Sequence, residues 1–306
     1  MEISVIIPIF NEIANIRPLL KRLQPVMQQL AVEYELIFVN DGSKDGSIEL
    51  IKEFADRYSE VKFIDFSRNF GHQIAVTAGL DKSTGAAVVI IDADLQDPPE
   101  VIIDLYNKMQ TGYEVVYARR RSRQGESWLK LWTAKKFYRI LSKITSISIP
   151  IDTGDFRIID RKIVEVLKNM PEKSKYLRGQ ISWIGFNQTF VEYDRQERLE
   201  GETGYTYRKM LRFAIDGITA FSDLPLKIVT YFGFLVSFFA FFMTLYALYS
   251  RYILKDYEPG WASLMISVLF IGGVQMIAVG IIGEYLSRMN NNSRNRPLYV
   301  IKDTNI

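Results

Sequence analysis

The residues whose types and spacing are best suited to chemistry are three close carboxylates, Asp92, Asp94 and Asp97, with Gln96 among them. Acids two apart with an amide oxygen beside them are hard donors of the kind Mg²⁺ or Mn²⁺ takes. A solvated acidic turn is the bland alternative. The surroundings favour the metal reading. Ala87-Val88-Val89-Ile90-Ile91 runs directly into the acids, is rich in β-branched residues, and has the pattern of a strand buried on both faces. Pro98 and Pro99 follow, and a helical pattern opens at Glu100. The acids therefore fall at the carboxyl end of a strand, where open α/β sheets bind ligands.

Composition narrows the choices. The 306 residues carry a net charge of only +3, which speaks against a nucleic-acid protein. With no cysteine, thiolate nucleophiles, disulfides and Cys-based zinc sites are excluded. The single histidine, His72, rules out a multi-histidine metal centre. Catalysis must use carboxylates, Lys and Arg, hydroxyls and a hard metal ion.

The elements that must hold these groups alternate. Strand patterns span Ile3–Ile9, Tyr34–Asn40, Val61–Ser67, Ala87–Ile91 and Tyr113–Ala118. Helical spacing covers Ile13–Leu30, a stretch to Tyr58 capped by Asp45 or Ser47, Gly71–Leu80 and Val101–Met109. This β-α-β rhythm predicts a parallel sheet covered on both faces. No G-x-G-x-x-G follows any strand, against a dinucleotide fold. A further strand is expected over Asp152–Ile159, a helix over Arg161–Met170 and a last strand over Phe190–Tyr193.

Beyond the fifth strand the character changes. Arg119-Arg120-Arg121-Ser122-Arg123 precedes residues 128–147, apolar with basic punctuation, which read as a helix lying on an anionic surface; residues 205–222 hold a second such helix. Val229–Ser250 and Trp261–Ile282 are two 22-residue uncharged runs. Each reaches roughly 33 Å as a helix, against a bilayer core of about 30 Å. The expected organisation is a catalytic domain at 1–225 and a membrane hairpin with a short tail at 226–306. Lys209, Arg212, Lys227, Arg288, Arg294, Arg296 and Lys302 flank the pair, against Arg251 and Lys255 in the link, which places both termini in the cytoplasm. A strand pattern within three residues of Met1 leaves no room for a signal peptide. Gly272, Gly273 and Gly280 allow close helix approach and hence a homo-oligomer.

With these pieces placed, the chain resembles glycosyltransferase family 2, type A fold, in its polyprenyl-phosphate branch. The matching motifs are VIIPIFNE (Val5–Glu12), VNDGSKDGS (Val39–Ser47), RNFGHQIAVTAGL (Arg68–Leu80), DADLQDPPE (Asp92–Glu100), GDFRI (Gly154–Ile158) and RLEGETGY (Arg198–Tyr205). The resemblance implies that Pro8, Asn11, Glu12 and Asp41 hold the base and ribose of a nucleotide sugar. Asp92, Asp94 and Gln96 would bind the metal bridging its phosphates, with Asp92 alternatively on the ribose or a metal-bound water. Asp155 corresponds to the acid beside the acceptor. A polyprenyl phosphate has a second pKa near 6 and is already an anion, so Asp155 is read as orienting the acceptor or stabilising charge at the anomeric carbon, the alternative being an ion pair with Arg157. Arg198 would meet the diphosphate, and Arg119, Arg121, Arg123 and Lys209 the lipid phosphate, unless the Arg run is a membrane-surface patch. His72 lies near the donor or serves packing.

The function this implies is metal-dependent, inverting transfer of a sugar, glucose from UDP-glucose, to undecaprenyl phosphate at the inner membrane. The rivals are a processive polysaccharide synthase, disfavoured by the absence of Q-x-x-R-W, and a non-catalytic scaffold that only binds nucleotide sugar.

Overall fold

The computed structural model describes residues 1–121, 153–173, 175–195, 224–249, 253, 260–294 and 296–306. The chain divides into two compact units. One comprises Met1–Lys143, Ile147–Met210 and Asn295–Ile306; the other comprises Ile144–Ser146 and Leu211–Arg294.

The first unit is built on one eight-stranded sheet. Its strands are β1 (Ile3–Ile9), β2 (Tyr34–Asn40), β3 (Val61–Phe66), β4 (Ala87–Ile90), β5 (Val115–Arg120), β6 (Thr153–Asp160), β7 (Gln188–Tyr193) and β8 (Ile301–Thr304), in the spatial order β7-β5-β6-β4-β1-β2-β3-β8. Every residue of β1 is buried, as its unbroken apolar run requires of a central strand. Strands β1 to β4 pair in parallel. The mostly parallel α/β sheet read from the sequence is therefore present, with one rearrangement. Strand β6 lies antiparallel between β4 and β5, breaking the parallel order.

Helices cover both faces. On one face α1 (Ile13–Leu30), α2 (Ser47–Arg57) and α4 (Val101–Met109) bury Ile16, Leu19, Leu23, Phe54 and Leu105 against Ile3, Val5, Phe38 and Val116. On the other, α3 (His72–Lys82), α5 (Arg161–Lys168) and α6 (Leu177–Ile184) bury Val76, Leu80, Ile163 and Ile181 against Ile6, Ile37 and Val88. Alternation of side chains along each strand divides the core into these two layers. The N-cap of α2 is Gly46, at a left-handed φ of 88°, and not Asp45 or Ser47; Asp45 ahead of it accepts from the Ser47 N–H and Oγ.

Three elements depart from the sequence reading. Helix α6 was not expected at all. Strand β5 begins and ends two residues later than Tyr113–Ala118, which draws Arg119 and Arg120 into the sheet. The carboxyl-terminal tail, expected to belong with the membrane hairpin, adds β8 antiparallel to β3.

The second unit contains α7 (Leu224–Tyr249) and α8 (Trp261–Ser293). Phe234, Phe238, Phe241, Met276 and Ile277 on them are 59 to 71% exposed. By length and composition both helices are able to cross a membrane. At 33 residues α8 runs about 50 Å, well past the expected end at Ile282. The surface helices expected over 128–147 and 205–222 lie outside the described residues.

Candidate active site

The carboxyl ends of β2, β1 and β4 lie side by side, because β1 pairs in parallel with both neighbours. Their loops are stitched together. Asn11, at a left-handed φ of 55°, donates its N–H to Ser43 Oγ at 3.0 Å and accepts the Lys44 N–H at 2.9 Å. Ile13 N–H reaches Asp45 Oδ2 at 3.0 Å. Pro8 is buried in β1 opposite Val39, and Glu12 accepts from the Asn15 side chain.

Asp41 follows β2. Its two oxygens accept the N–H groups of Phe70 at 2.6 Å and Gly71 at 2.9 Å, the residues that open α3. Burial pushes the Asp41 carboxyl up, opposed by those two bonds. The adjacent Gly42 has φ +70°, and a Cβ there would lie 2.6 Å from the Arg68 carbonyl carbon. Only glycine lets the two loops touch.

At the end of β4, Asp94 is buried and accepts the Gln96 N–H at 3.2 Å. Between them Leu95 adopts a left-handed φ of 58°, an uncommon state for a branched side chain that aims this acidic turn. Asp92 Oδ1 is buried and accepts no hydrogen bond. Burial pushes Asp92 up to about 6, and the carboxylates of Asp155, Asp97 and Asp94 push the same way against His72.

The antiparallel insertion of β6 supplies the next acid. Because Ile90 pairs with Arg157, the start of β6 runs beside the end of β4, and Asp155 arrives next to Asp92. His72 Nε2, in the first turn of α3, lies 3.3 Å from Asp155 Oδ2 and 3.5 Å from Asp92 Oδ1. Partial burial works against charge on the ring, but the two carboxylates prevail and lift His72 to about 9. Asp155 is held by more than the histidine. Arg178 Nε on α6 donates to Oδ1 at 2.7 Å, and Gln73 Nε2 donates to Oδ2 at 3.3 Å while its own carbonyl accepts the Leu177 N–H. Arg157, the partner expected from sequence, is within 3.4 Å but spends its shorter bonds on the Gly154 and Asp155 carbonyls. Burial works to raise Asp155; the Arg178 guanidinium and His72 overcome it and hold the carboxyl well below the usual range.

Asp97, the third acid of the turn, faces a different set. Tyr193 Oη donates to Oδ1, and Arg120 and Arg195 stand 3.8 and 3.7 Å from the same oxygen. Among the expected phosphate-binding arginines, Arg119 pairs with Glu192 and lies over the Phe190 ring, and Arg121 pairs with Asp194 at 3.1 Å, both across to β7. Arg123, Arg198 and Lys209 fall outside the described residues. Alternation along β5 is what separates Arg120 from its neighbours.

Reasoning from sequence missed Arg178, Gln73 and the Tyr193–Asp97 bond. Gln73 sits beside His72 in an already singled-out motif, which was the available signal. Arg178 lies on a helix whose short, mixed sequence LRGQISWI carries little period.

An α/β sheet with paired acids ending a central strand, and another acid brought in antiparallel beside them, defines a type A glycosyltransferase. The family model for "Glycosyl transferase family 2" matches residues 4–168. The chain belongs to glycosyltransferase family 2 and is a glycosyltransferase. It is 49% identical to an uncharacterized glycosyltransferase of Bacillus subtilis (strain 168), over 99% of this chain and 94% of that protein. It is 39% identical to the bactoprenol glucosyl transferase of Shigella phage SfV, over 99% of each. Among solved structures, mannosyl-3-phosphoglycerate synthase from Rubrobacter xylanophilus aligns with a TM-score of 0.50 over 72% of each chain at 16% identity, a likeness of fold alone.

Proposed function

We propose that this protein transfers glucose from UDP-glucose to a polyprenyl phosphate of the undecaprenyl type, with a divalent metal on the diphosphate and inversion at the anomeric carbon. The observation that carries this reading is the convergence of Asp92, Asp155 and His72 beside the β4 turn. Full-length similarity to proteins named bactoprenol glucosyl transferase supports the choice of sugar and acceptor.

The residues present fit a hard cation. Asp92 Oδ1 is buried and accepts no hydrogen bond, with His72 Nε2 at 3.5 Å, and offers one oxygen ligand; Asp94 would add a second carboxylate and Gln96 an amide oxygen. Among the described residues no group of three His, Asp or Glu side chains, the Asp92, Asp155 and His72 set included, is placed to hold a metal ion by itself. That suits Mg²⁺ or Mn²⁺ held by one or two carboxylates together with substrate phosphates. When bound, the ion neutralises the leaving diphosphate.

The chain's own residues do the rest. Asn11, Glu12 and Asp41, with Pro8 shaping the strand end, are assigned to the base and ribose, and Arg198 to the diphosphate. The acceptor phosphate is already anionic near neutral pH and needs no base. Both Asp155 oxygens are committed to donors, so its role is to fix Arg178 and His72 and to place negative charge beside the anomeric carbon. Arg119, Arg121, Arg123 and Lys209 are assigned to the lipid phosphate or the anionic membrane surface, and Arg120 and Arg195, gathered at Asp97, add two further cations. Residues 1–225 would work at the cytoplasmic face of the inner membrane, with α7 and α8 as its anchor. Among the described residues a Cβ added at Gly272, Gly273 or Gly280 meets nothing within 4 Å, and small residues of this kind would let a second copy approach α8 closely in a homo-oligomer.

The test is transfer of radiolabelled sugar from a panel of UDP- and GDP-sugars to undecaprenyl phosphate. It uses the purified full chain with Mg²⁺, Mn²⁺ or EDTA, beside Asp94→Ala and Asp155→Ala. A labelled lipid formed from UDP-glucose, lost with EDTA and in Asp94→Ala, is expected. Nucleotide-sugar binding with no lipid product from any donor would replace the transferase by the binding scaffold.

A further inference from the structure

Strand β8 is more than an edge strand. It pairs Ile64 with Thr304 and Phe66 with Ile301, and is locked by side chains: Asn305 Oδ1 accepts the Phe63 N–H at 2.7 Å and Thr304 Oγ1 donates to the Phe63 carbonyl at 2.8 Å. Ahead of it, Val300 accepts the Ser67 N–H at 3.0 Å. That bond is made to the first residue of the loop that runs from β3 to α3.

Aromatic rings carry the connection inward. Tyr299 stacks on Phe66, centroids 5.2 Å apart and planes 20° apart, and Phe66 meets Phe70 edge-on at 5.5 Å. The Phe70 N–H and its neighbour Gly71 N–H are the two donors that grip Asp41. Tyr299 also donates its hydroxyl to Asp81 Oδ2 at 2.9 Å, near the far end of α3, whose first turn presents His72 and Gln73 to Asp155. One side chain of the tail therefore bears on both ends of the segment that carries half the site. Buried ring pairs of this geometry stabilise one arrangement over its neighbours.

We infer that Tyr299 is a positioning residue of the donor site: it holds the Ser67–Gly71 turn, and through it Asp41, in the geometry that receives the nucleotide. The inference rests on the reading of Asp41 as part of a nucleotide-sugar site. It adds that the segment following the apolar helices α7 and α8 in the chain sets the shape of that site. Loss of the Tyr299 ring frees Phe66 and Phe70 to repack, loosens the two N–H bonds to Asp41, and weakens donor binding more than turnover.

The experiment compares the purified full chain with Tyr299→Ala and Tyr299→Phe in two measurements. The first is hydrogen exchange of peptides covering Phe66–Ile74, with peptides of β1 as an internal check that the sheet is intact. The second is the donor KM and kcat in the lipid-transfer assay. In Tyr299→Ala the Phe70 and Gly71 amides should exchange about tenfold faster or more, and the donor KM should rise fivefold or more with kcat within twofold. Tyr299→Phe, which keeps the ring, should restore both to within about twofold. Unchanged exchange at Phe70 and Gly71 in a folded Tyr299→Ala would overturn the inference, as would a kcat loss with unchanged KM. If Tyr299→Ala does not fold, Tyr299→Leu keeps the bulk without the ring and carries the same criteria. Should the wild type turn over no donor, the functional reading fails, and the exchange measurement alone decides the link from Tyr299 to Asp41.

Discussion

Arg178 is the residue on which the geometry around Asp155 makes its sharpest demand. The Asp155 side chain is 13% exposed, and its shortest hydrogen bond is the 2.7 Å bond from Arg178 Nε. In Arg178→Ala, Oδ1 keeps only the 3.4 Å approach of Arg157 Nη2, beyond good hydrogen-bond distance. A hydrogen bond to a charged group is worth about 1.5–3 kcal/mol. If that bond holds Asp155 in its working position, its loss falls on the transition state, and at about 1.4 kcal/mol per decade turnover drops by about 10- to 150-fold. Arg178→Lys keeps the charge without the planar fork and should lie between the variant and the wild type. The assay is steady-state transfer of labelled glucose to undecaprenyl phosphate, with the donor concentration varied so that kcat and KM separate. Arg57→Ala serves as a control: its pair with Glu53 is a solvent-exposed i,i+4 contact, worth roughly 0.3–0.5 kcal/mol, remote from the acids. Turnover by Arg178→Ala within threefold of the wild type would refute the idea that this arginine positions Asp155.

Three further outcomes follow from other parts of the molecule. Glu35 is fully buried, and Lys62, Ser4 and Thr84 hydrogen bonds overcome its burial to hold its carboxyl down at about 2 from an ordinary 4.5. Its folded pKa is the lower one, so up to about 3 kcal/mol of stability is present above pH 4.5 and is lost as pH falls through 2; chemical denaturation at pH 7 and pH 3 should show Glu35→Gln destabilised at the first and its difference from the wild type cut by roughly half at the second, where the folded carboxylate is still mostly ionised. Gly42→Ala places a Cβ 2.6 Å from the Arg68 carbonyl carbon at a left-handed φ, and calorimetric titration with UDP and Mg²⁺ should show binding weakened tenfold or more; unchanged affinity would mean the β2 loop does not shape the nucleotide site. Tyr193→Phe removes the donor to buried Asp97 and leaves that carboxylate with two arginines at 3.7–3.8 Å, so thermal melting should show a loss of about 1–3 kcal/mol, and a melting temperature equal to wild type would show the tyrosine to be dispensable.

Much of this architecture was legible because it depends on local pattern. The apolar runs of β1, β2 and β4 and the stripe Ile16, Leu19, Leu20, Leu23, Val26, Met27 predict their elements, and helix α1 continues through Pro18 and Pro25 because that stripe spans both. The acids at the end of β4 were visible for the same reason. What escaped depends on pairing at a distance. Nothing local to Gly154–Ile158 says that its strand will lie antiparallel between β4 and β5, yet that placement alone brings Asp155 to Asp92. Nothing in LRGQISWI announces a helix, and so Arg178 went unseen. The short segment Ile301–Thr304 has no period to read, since its pattern comes from β3, to which it is added.

The insertion of β6 also bears on how such an enzyme can change over evolutionary time. Strands β5 and β6 are antiparallel neighbours, and Arg119 pairs with Thr153, so the chain leaves the sheet and re-enters it at nearly one point. Closing the chain between two such points costs little extra as its length grows: each doubling adds only about 0.6 kcal/mol of closure entropy. That stretch can therefore lengthen, shorten or be exchanged for another without shifting the register that aligns Asp92 with Asp155. The acids can then stay where they are in such a lineage while the length of chain that joins Arg120 to Thr153 changes.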